Sequence, residues 1–466
     1  MIAAAPARHS ESARQWVHIG SGLFALLLRG LTGWQASAMA AAALIFNLLL
    51  LPRIGGRRLY RPVDHERGFP LGILLYPLSV LLLMLAFRSR LDIAAAAWGI
   101  LAFGDGFATL VGRSRTEKTA ENNSVAGSAI SAVFSERIPW NRDKSIAGTL
   151  AFIVFGGVGS VALAWWVRPS VTPLPPIAFT VAAPLVAAVV AALVETLPVK
   201  LDDNISVPAI AGAVLWIASL MTAASLDTSR ATIAAALMPA IVVNAVASWL
   251  GYRARTVSRS GALGGALVGA IIYVGGGGAA WLLLLTTFLA ASVTSRLGLA
   301  RKERLGIAEE RGGRRGAGNA FANCGVAAVA AVAAVTTPYA PQALLALTAA
   351  LTAGGSDTVA SEIGKVWGRS TFLVTTLGRV QPGTPGAMSL EGTAAEFVAA
   401  LMLAALGVAL GLIPTAAIVA VLAGAAAGAL LESVLAATLE GPGILNNDML
   451  NFINTAAAAV VALALA

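Results

Sequence analysis

Charge is scarce in this chain: only 12% of its 466 residues are Asp, Glu, Lys or Arg, about half the ~25% of an ordinary soluble domain. Cysteine is nearly absent. Cys324 alone excludes an intramolecular disulfide framework or a cysteine metal cluster, and His9, His18 and His65 are too few for a histidine-rich metal site. Aromatic residues reach only 6%, and nothing favours the alternating pattern of a membrane β-barrel. What remains is apolar, with 58% hydrophobic residues and a mean hydropathy of +0.80. A single soluble core stops growing beyond roughly 250 to 300 residues, so this much apolar sequence requires lipid as its solvent. The abundance of Ala, Leu, Val and Gly favours close-packed helices with small interfacial residues. The expected fold class is therefore an all-α polytopic membrane protein.

Apolar runs able to span a bilayer fall near 16–30, 34–51, 70–87, 92–112, 147–166, 177–198, 206–224, 232–250, 261–277, 279–296, 319–337, 342–356, 393–412, 414–431 and 448–466. The arginines ahead of the first run resemble a signal peptide loosely, but further runs follow at once and Arg29 interrupts it, so it reads as a transmembrane helix. About fifteen helices are expected, in two similarly oriented bundles, 1–226 and 227–466, with a cytoplasmic N-terminus. That orientation leaves all but five of the 32 Lys and Arg (Arg29, Arg88, Arg90, Arg168 and Arg230) toward the cytoplasm. With no transit peptide evident, the expected location is a bacterial cytoplasmic membrane. Membrane lipids are expected partners and nucleic acid is not.

Charges inside or at the ends of spans are costly and point to function. Asp105 sits between two glycines in AWGILAFGDGFATLVGR, shortly before Arg113. The plainer alternative is that Gly104 and Gly106 only let helices approach. Lys144 and Ser145 stand at the mouth of the next span, where a snorkelling lysine and a helix cap would also fit. Glu195 lies inside an apolar run, Pro198 ends it, and Asp202, Asp203 and Asn204 crowd the following turn. Together these carboxylates are hard oxygen donors suited to Mg²⁺, while Arg113 and Lys144 are cations suited to phosphate. Carboxylates with basic clamps are common equipment for phosphoryl transfer. No Walker loop or protein-kinase signature is present, and the glycines of SGALGGALVG open an apolar span, as helix packing requires.

The ordered strings ARQWVHIG (Arg14, His18), GDGFATLVGR (Asp105, Arg113), PWNRDKSIAGTLAF (Trp140, Asn141, Lys144, Ser145, Gly148) and VETLPVKLDDNISVP (Glu195, Asp202, Asp203, Asn204) resemble the phytol, farnesol and dolichol kinase family. The resemblance covers about residues 10–224, and the WNxxKSxxG and LDDN strings favour its phytol kinase branch. It implies CTP-dependent, Mg²⁺-assisted phosphorylation of a long isoprenoid alcohol. Beyond Leu226, GGRRGAGNAFANCG, GGSDTVASEIGKVWG, PGTPGAMSLEGT and LNNDMLNFINT resemble the transmembrane-protein-19-like family (domain of unknown function 92), whose plant branch is phytyl-phosphate kinase. That coverage is about 232–466. Asn319 and Ala387 depart from the family's usual Gln and Gly.

The two resemblances together imply a bifunctional kinase taking an isoprenoid alcohol to its monophosphate and then to its diphosphate, with CTP or another nucleoside triphosphate as donor. In the first half Asp105, Glu195, Asp202 and Asp203 would bind Mg²⁺ or accept the alcohol proton, and Arg113, Lys144 and Ser145 would contact phosphate, with Asn204 completing the catalytic set. Arg14, His18 and Asn141 would bind substrate. In the second half Asp357, Glu362, Glu432 and Asp448 form the acidic set, with Ser389 catalytic and Asp357, Glu362 and Asp448 as metal ligands. Arg315, Lys365, Arg379, Asn323, Thr384, Asn447 and Asn451 would contact substrate or phosphate. The halves also present similar strings in one order: GDGFATLVGR with GSDTVASEIGK, KSIAGTLAF with MSLEGTAAEF, and VETLP plus LDDN with LESVL plus NND. This is the mark of an internal repeat. Rival readings are a lipid cytidylyltransferase, a lipid or isoprenoid transporter, or an inactive second half. Reporter fusions in the loop 113–145 and in the loop 357–392 should both report from the cytoplasmic side; opposite sides would overturn the parallel arrangement.

Overall fold

The computed structural model describes residues 11–54, 64, 70–112, 136–138, 141–197, 202–306 and 314–466. Arg113, Trp140 and Pro198 lie outside them. The chain divides into two compact units, one ending at Ser219 and the other beginning at Leu220.

The first unit opens with α1 (Glu11–Ser21), prolonged by a 3-10 segment to Gly30. It continues through α2 (Gly33–Leu50), α3 (Leu71–Ala86), α4 (Leu91–Gly112), α5 (Ile146–Ser170), α6 (Ile177–Glu195) and α7 (Asp203–Leu220). A short antiparallel hairpin, β1 (Arg137–Ile138) with β2 (Asn141–Ser145), leads into α5. The centre is α4, whose apolar window is 72% buried, against 17 to 44% for α2, α5, α6 and α7. Its alanine run and Gly99 explain this, because a Cβ on Gly99 would stand only 3.0 Å from the Ser160 Cα of α5. Small residues let helix axes approach where lipid supplies no hydrophobic drive. At the start of α4, Asp92 is 2% exposed and accepts two bonds from Arg90, at 3.0 and 2.9 Å. Midway along it a π-turn, Ile100–Asp105, presents the aspartate.

The second unit contains α8 (Ala223–Arg253), α9 (Arg259–Arg296), the short α10 (Leu299–Arg304), α11 (Ala317–Thr336), α12 (Ala340–Trp367), α13 (Leu390–Ala409), α14 (Thr415–Glu440) and α15 (Asn447–Leu465). A second hairpin pairs β3 (Thr371–Leu373) with β4 (Ala387–Ser389). The buried centre is α12, again with a 72% buried window, packed against α9, α11, α13, α14 and α15. Outward side chains such as Leu263, 74% exposed, and Val419, 73% exposed, face what lipid would cover.

Among the described residues twelve helices are long and apolar enough to cross a membrane. Three features reconcile this with the fifteen expected runs. The first run is part α, part 3-10; Leu71–Ala86 is apolar but has only 16 residues; and α9 contains two runs. Gly277 inside α9 has φ 72° and ψ −175°, and Arg315 touches both ends of the helix, its carbonyl against Gly261 and its guanidinium 3.5 Å from Ser295 Oγ. A straight helix would hold those ends roughly 50 Å apart, so α9 doubles back at Gly277. That backbone conformation is essentially glycine's alone. Gly277→Ala should therefore destabilise the protein by about 1 to 3 kcal/mol, whereas Gly278→Ala, where a Cβ meets nothing within 4 Å, should be neutral or mildly stabilising; thermal unfolding in detergent reads the difference.

Candidate active sites

In the first unit the hairpin sets the geometry. Ser145 ends β2 in an extended conformation and caps α5, its hydroxyl accepting from the Gly148 amide at 3.1 Å. This fixes the preceding residue, Lys144, whose ammonium donates to Asp203 at 2.8 Å and to Glu195 at the end of α6. Burial disfavours the lysine's charge, but Asp203 and Glu195 more than offset that and hold it above the ordinary lysine range. Asp105 completes the group, since oxygens of Asp105, Glu195 and Asp203 all lie within 4.8 Å of one another. Three converging carboxylates at a partly exposed boundary suit a hard divalent cation.

Gly104 packs on the fully buried Phe152, and Gly106 on Ile19. The glycines thus do serve helix approach, and in doing so they bring Asp105 to α1. There His18 Nε2 lies 3.5 Å from Asp105 Oδ2 and 3.1 Å from the Leu101 carbonyl. The His18 ring stands edge-on to Tyr76 at 4.4 Å, whose hydroxyl accepts from Trp98 Nε1 at 2.8 Å. The Arg14 guanidinium and the Asn204 amide both lie against Gly72. Asn141 donates to the Leu197 carbonyl at 3.3 Å and so ties the hairpin to the end of α6. Asp202 is not among the three converging carboxylates: its Oδ1 accepts from the backbone and side-chain nitrogens of Asn204, at 2.9 and 2.8 Å, which makes it a cap. Glu195 is one of the three converging carboxylates. Arg113 lies outside the described residues.

The second unit holds a cavity of about 510 Å³. Asp357, Glu362, Lys365, Glu432, Ser389, Thr384, Arg315, Asn323, Asn447 and Asn451 all line it, so nearly the whole expected set converges. Two residues do not: Asp448 sits beside Gly318 and Asn319, and Arg379 lies over the Phe372 ring at 5.8 Å. Ser389 ends β4 and caps α13, accepting from the Gly392 amide at 3.0 Å. The PGTPG loop is pinned by Gly386, at φ 74°, where a Cβ would stand 2.5 Å from the Ser433 carbonyl next to Glu432.

Glu362 is committed elsewhere. It is 2% exposed and pairs with Lys365 at 3.0 Å and with Lys302, itself 1% exposed. Lys302 also donates to the Ser295 and Thr294 carbonyls at 2.9 and 3.2 Å, satisfying the open end of α9. Glu362 is thereby held as the anchor of α10, with its charge already compensated. Asp357, Glu396 and Glu432 line the cavity, and no described basic residue forms an ion pair with any of them.

The serine contacts recur in detail. A Cβ on Gly148 would stand 3.1 Å from the Ala108 carbonyl, and one on Gly392 would stand 2.9 Å from that of Ala360. Ala108 and Ala360 each follow the central aspartate by three residues, and Gly112 and Gly364, seven residues after it, each face the serine hydroxyl.

Two functional candidates escape the sequence patterns. Glu396 is a charge within an apolar run, one helical turn past Gly392 and so on the same face. Pairing KSIAGTLAF with MSLEGTAAEF by their phenylalanines hides it, because the residue that matches Phe152 in position is Glu396, not Phe397. Lys302 stands in a generally basic loop, and nothing in its local sequence marks it for burial.

Residues 241–459 match the family described as integral membrane protein DUF92. An uncharacterized membrane protein of Synechocystis is 40% identical over 179 residues, 38% of this chain and 69% of that protein. The chloroplastic protein VTE6 of Arabidopsis thaliana is 38% identical over 184 residues, covering 38% of this chain and just over half, 55%, of its own length. A Glycine max protein named Probable phytol kinase 1, chloroplastic, is 31% identical over 215 residues, 42% of this chain and 63% of that protein. No solved structure matches. A polytopic helical chain with this match, and with the Synechocystis protein as so near a relative, belongs to the DUF92 integral membrane protein family.

Proposed function

We propose that the chain is a membrane isoprenoid kinase with two sites: the first unit phosphorylates phytol or a related isoprenoid alcohol, and the second phosphorylates the resulting monophosphate. The observation that carries this reading is the pairing, in each unit, of a buried central helix presenting an aspartate with a hairpin whose last serine caps the next helix against it. We take that recurrence as descent from one duplicated unit, with both sites on the cytoplasmic face of a bacterial inner membrane. The relatives named for phytol kinase supply the substrate class, and the resemblance of the first half to the phytol, farnesol and dolichol kinases assigns the alcohol step to it. CTP or another nucleoside triphosphate is the donor.

Mg²⁺ is part of this reading in both units, and the carboxylate oxygens converge for it in the first. Asp105, Glu195 and Asp203 would hold it in the first, and Asp357, Glu396 and Glu432, which form no ion pair among the described residues, would hold it in the second. When bound, the ion supplies neutralisation of phosphate charge. The chain's own groups do the rest. Lys144, kept protonated by its two carboxylates, offers a fixed positive charge to the transferring phosphoryl group. A site carboxylate accepts the alcohol proton, and Asp105, the member of the cluster that does not pair with Lys144, is the best placed. In the second unit the acceptor is already an anion, so no hydroxyl proton of ordinary alcohol acidity has to be removed, and Arg315 and Lys365, which line the same cavity, would oppose its charge.

Purified protein in nanodiscs, given phytol, Mg²⁺ and γ-labelled CTP, should form labelled mono- and diphosphate. Monophosphate alone would remove the second activity, label transferred from α- but not γ-labelled CTP would make the protein a cytidylyltransferase, and no product with any isoprenoid alcohol would overturn the kinase reading. Asp105→Ala and Lys144→Met should each lower the first step by about 10²- to 10³-fold while supplied phytyl monophosphate is still converted. Asp357→Ala should do the reverse, so that monophosphate accumulates; quantifying both products by mass spectrometry separates the two effects.

A further inference from the structure

A second cavity, of about 150 Å³, lies between α8, the two halves of α9 and α11. Arg315, Asn319 and Asn323 line both it and the carboxylate cavity. Their polar atoms have capacity to spare: Arg315 Nε and Asn323 Oδ1 are buried without hydrogen-bond partners among the described residues. Below that junction the walls turn apolar and thin. Gly261 and Gly265 leave one wall without side chains, and Leu284 and Phe288 form another.

The far end is fixed by an unusual hydrogen bond for a membrane helix. Asn244, 4% exposed in the middle of α8, donates to the Ala240 carbonyl at 2.9 Å and accepts from Trp281 Nε1 at 3.0 Å. A buried amide among apolar helices is costly unless bonded, and this one holds the Trp281 indole at the cavity wall. Ser295 marks the level of Arg315, and Trp281 lies fourteen residues before it on the same half of α9, roughly 20 Å down the helix.

We infer that this slot receives the hydrocarbon tail of the prenyl monophosphate, with the phosphate at Arg315 and Trp281 as the floor that limits chain length. The inference rests on the reading of the second unit as a prenyl-monophosphate kinase, and it adds the residues that select the chain. Continuity with the carboxylate cavity, a cation at the junction and apolar walls beyond it fit one amphiphile of this kind. A free anion would leave the lower slot unfilled, and a hydrocarbon without a charged head would leave Arg315 unmatched.

Gly265 permits a clean test, because a Cβ there meets nothing within 4 Å, so the side chain of Gly265→Leu starts in open space at the slot wall. Its melting temperature should equal that of the wild type. Its KM for phytyl monophosphate should rise about ten-fold or more, as expected when two or more methylenes lose their burial, with dimethylallyl monophosphate unaffected. Trp281→Ala should shift preference toward longer polyprenyl monophosphates. Independently of turnover, phytyl monophosphate with a diazirine at its tail end should photolabel peptides around Trp281 and Asn244, and Gly265→Leu should abolish that label. Unchanged chain-length preference in both variants, or label that excess phosphatidylglycerol vesicles displace, would overturn the slot assignment while leaving the kinase reading intact. Labelling at Trp281 in a protein that phosphorylates no prenyl monophosphate would instead overturn the kinase reading and keep the slot.

Discussion

A carboxylate at the end of an apolar helix cannot be left alone. Away from bulk water its charge is costly unless a cation, a hydrogen-bond donor or a ligand compensates it, and both units are organised around that requirement. In the first, Lys144 bridges Glu195 and Asp203 and leaves Asp105 to His18. In the second, the charge of Glu362 is met by Lys302 and Lys365, while Asp357, Glu396 and Glu432 share a cavity wall without ion-pair partners. Removing one member of a buried pair strands the other, typically at a cost of about 3 to 5 kcal/mol, so the pairs constrain structure as well as chemistry. That wall is the opposite case: its three acids leave room for a cationic ligand.

Those groups meet only because the helices come close. A hairpin serine reaches across to cap a helix whose first-turn glycine lies against the carbonyl three residues after the central aspartate. Any side chain on Gly148 or Gly392 would push the hairpin, and with it Lys144 or the cavity rim, off that aspartate. The small residues that read in the sequence as generic membrane packing are at these positions what sets the distance between the carboxylate and the loop that faces it.

Much of this is legible in the amino-acid sequence. The apolar runs stand out because lipid demands about twenty apolar residues per helix, and Asp105, Asp357 and Glu195 stand out because charge interrupts those runs. What was not legible depends on contacts made far along the chain. Asp202 and Asp203 are neighbours, yet successive helix-start residues point in different directions, so one caps its own turn and the other reaches Lys144. Lys302 is buried because Gly298, at φ 63°, turns α10 back toward Glu362, a return no local string announces. Glu396 was obscured by a neighbouring phenylalanine that made the wrong alignment look natural.

The differences between the units follow the charge of what each would hold. In the first, a lysine precedes the capping serine; in the second, that position is Met388 and the cations have moved to Arg315 and Lys365, while Glu396 adds an acid where the first unit has Phe152. An uncharged alcohol needs a positive charge close to the carboxylates, where the donor's phosphates must be drawn in. An acceptor that is itself a phosphate needs cations of its own, and Arg315 and Lys365 line the cavity with the acids. Keeping both sites in one membrane chain also suits the intermediate, since each buried methylene of its tail contributes about 0.8 kcal/mol to membrane retention. A long-chain monophosphate would therefore stay in the bilayer, the phase in which both proposed sites would have to meet it.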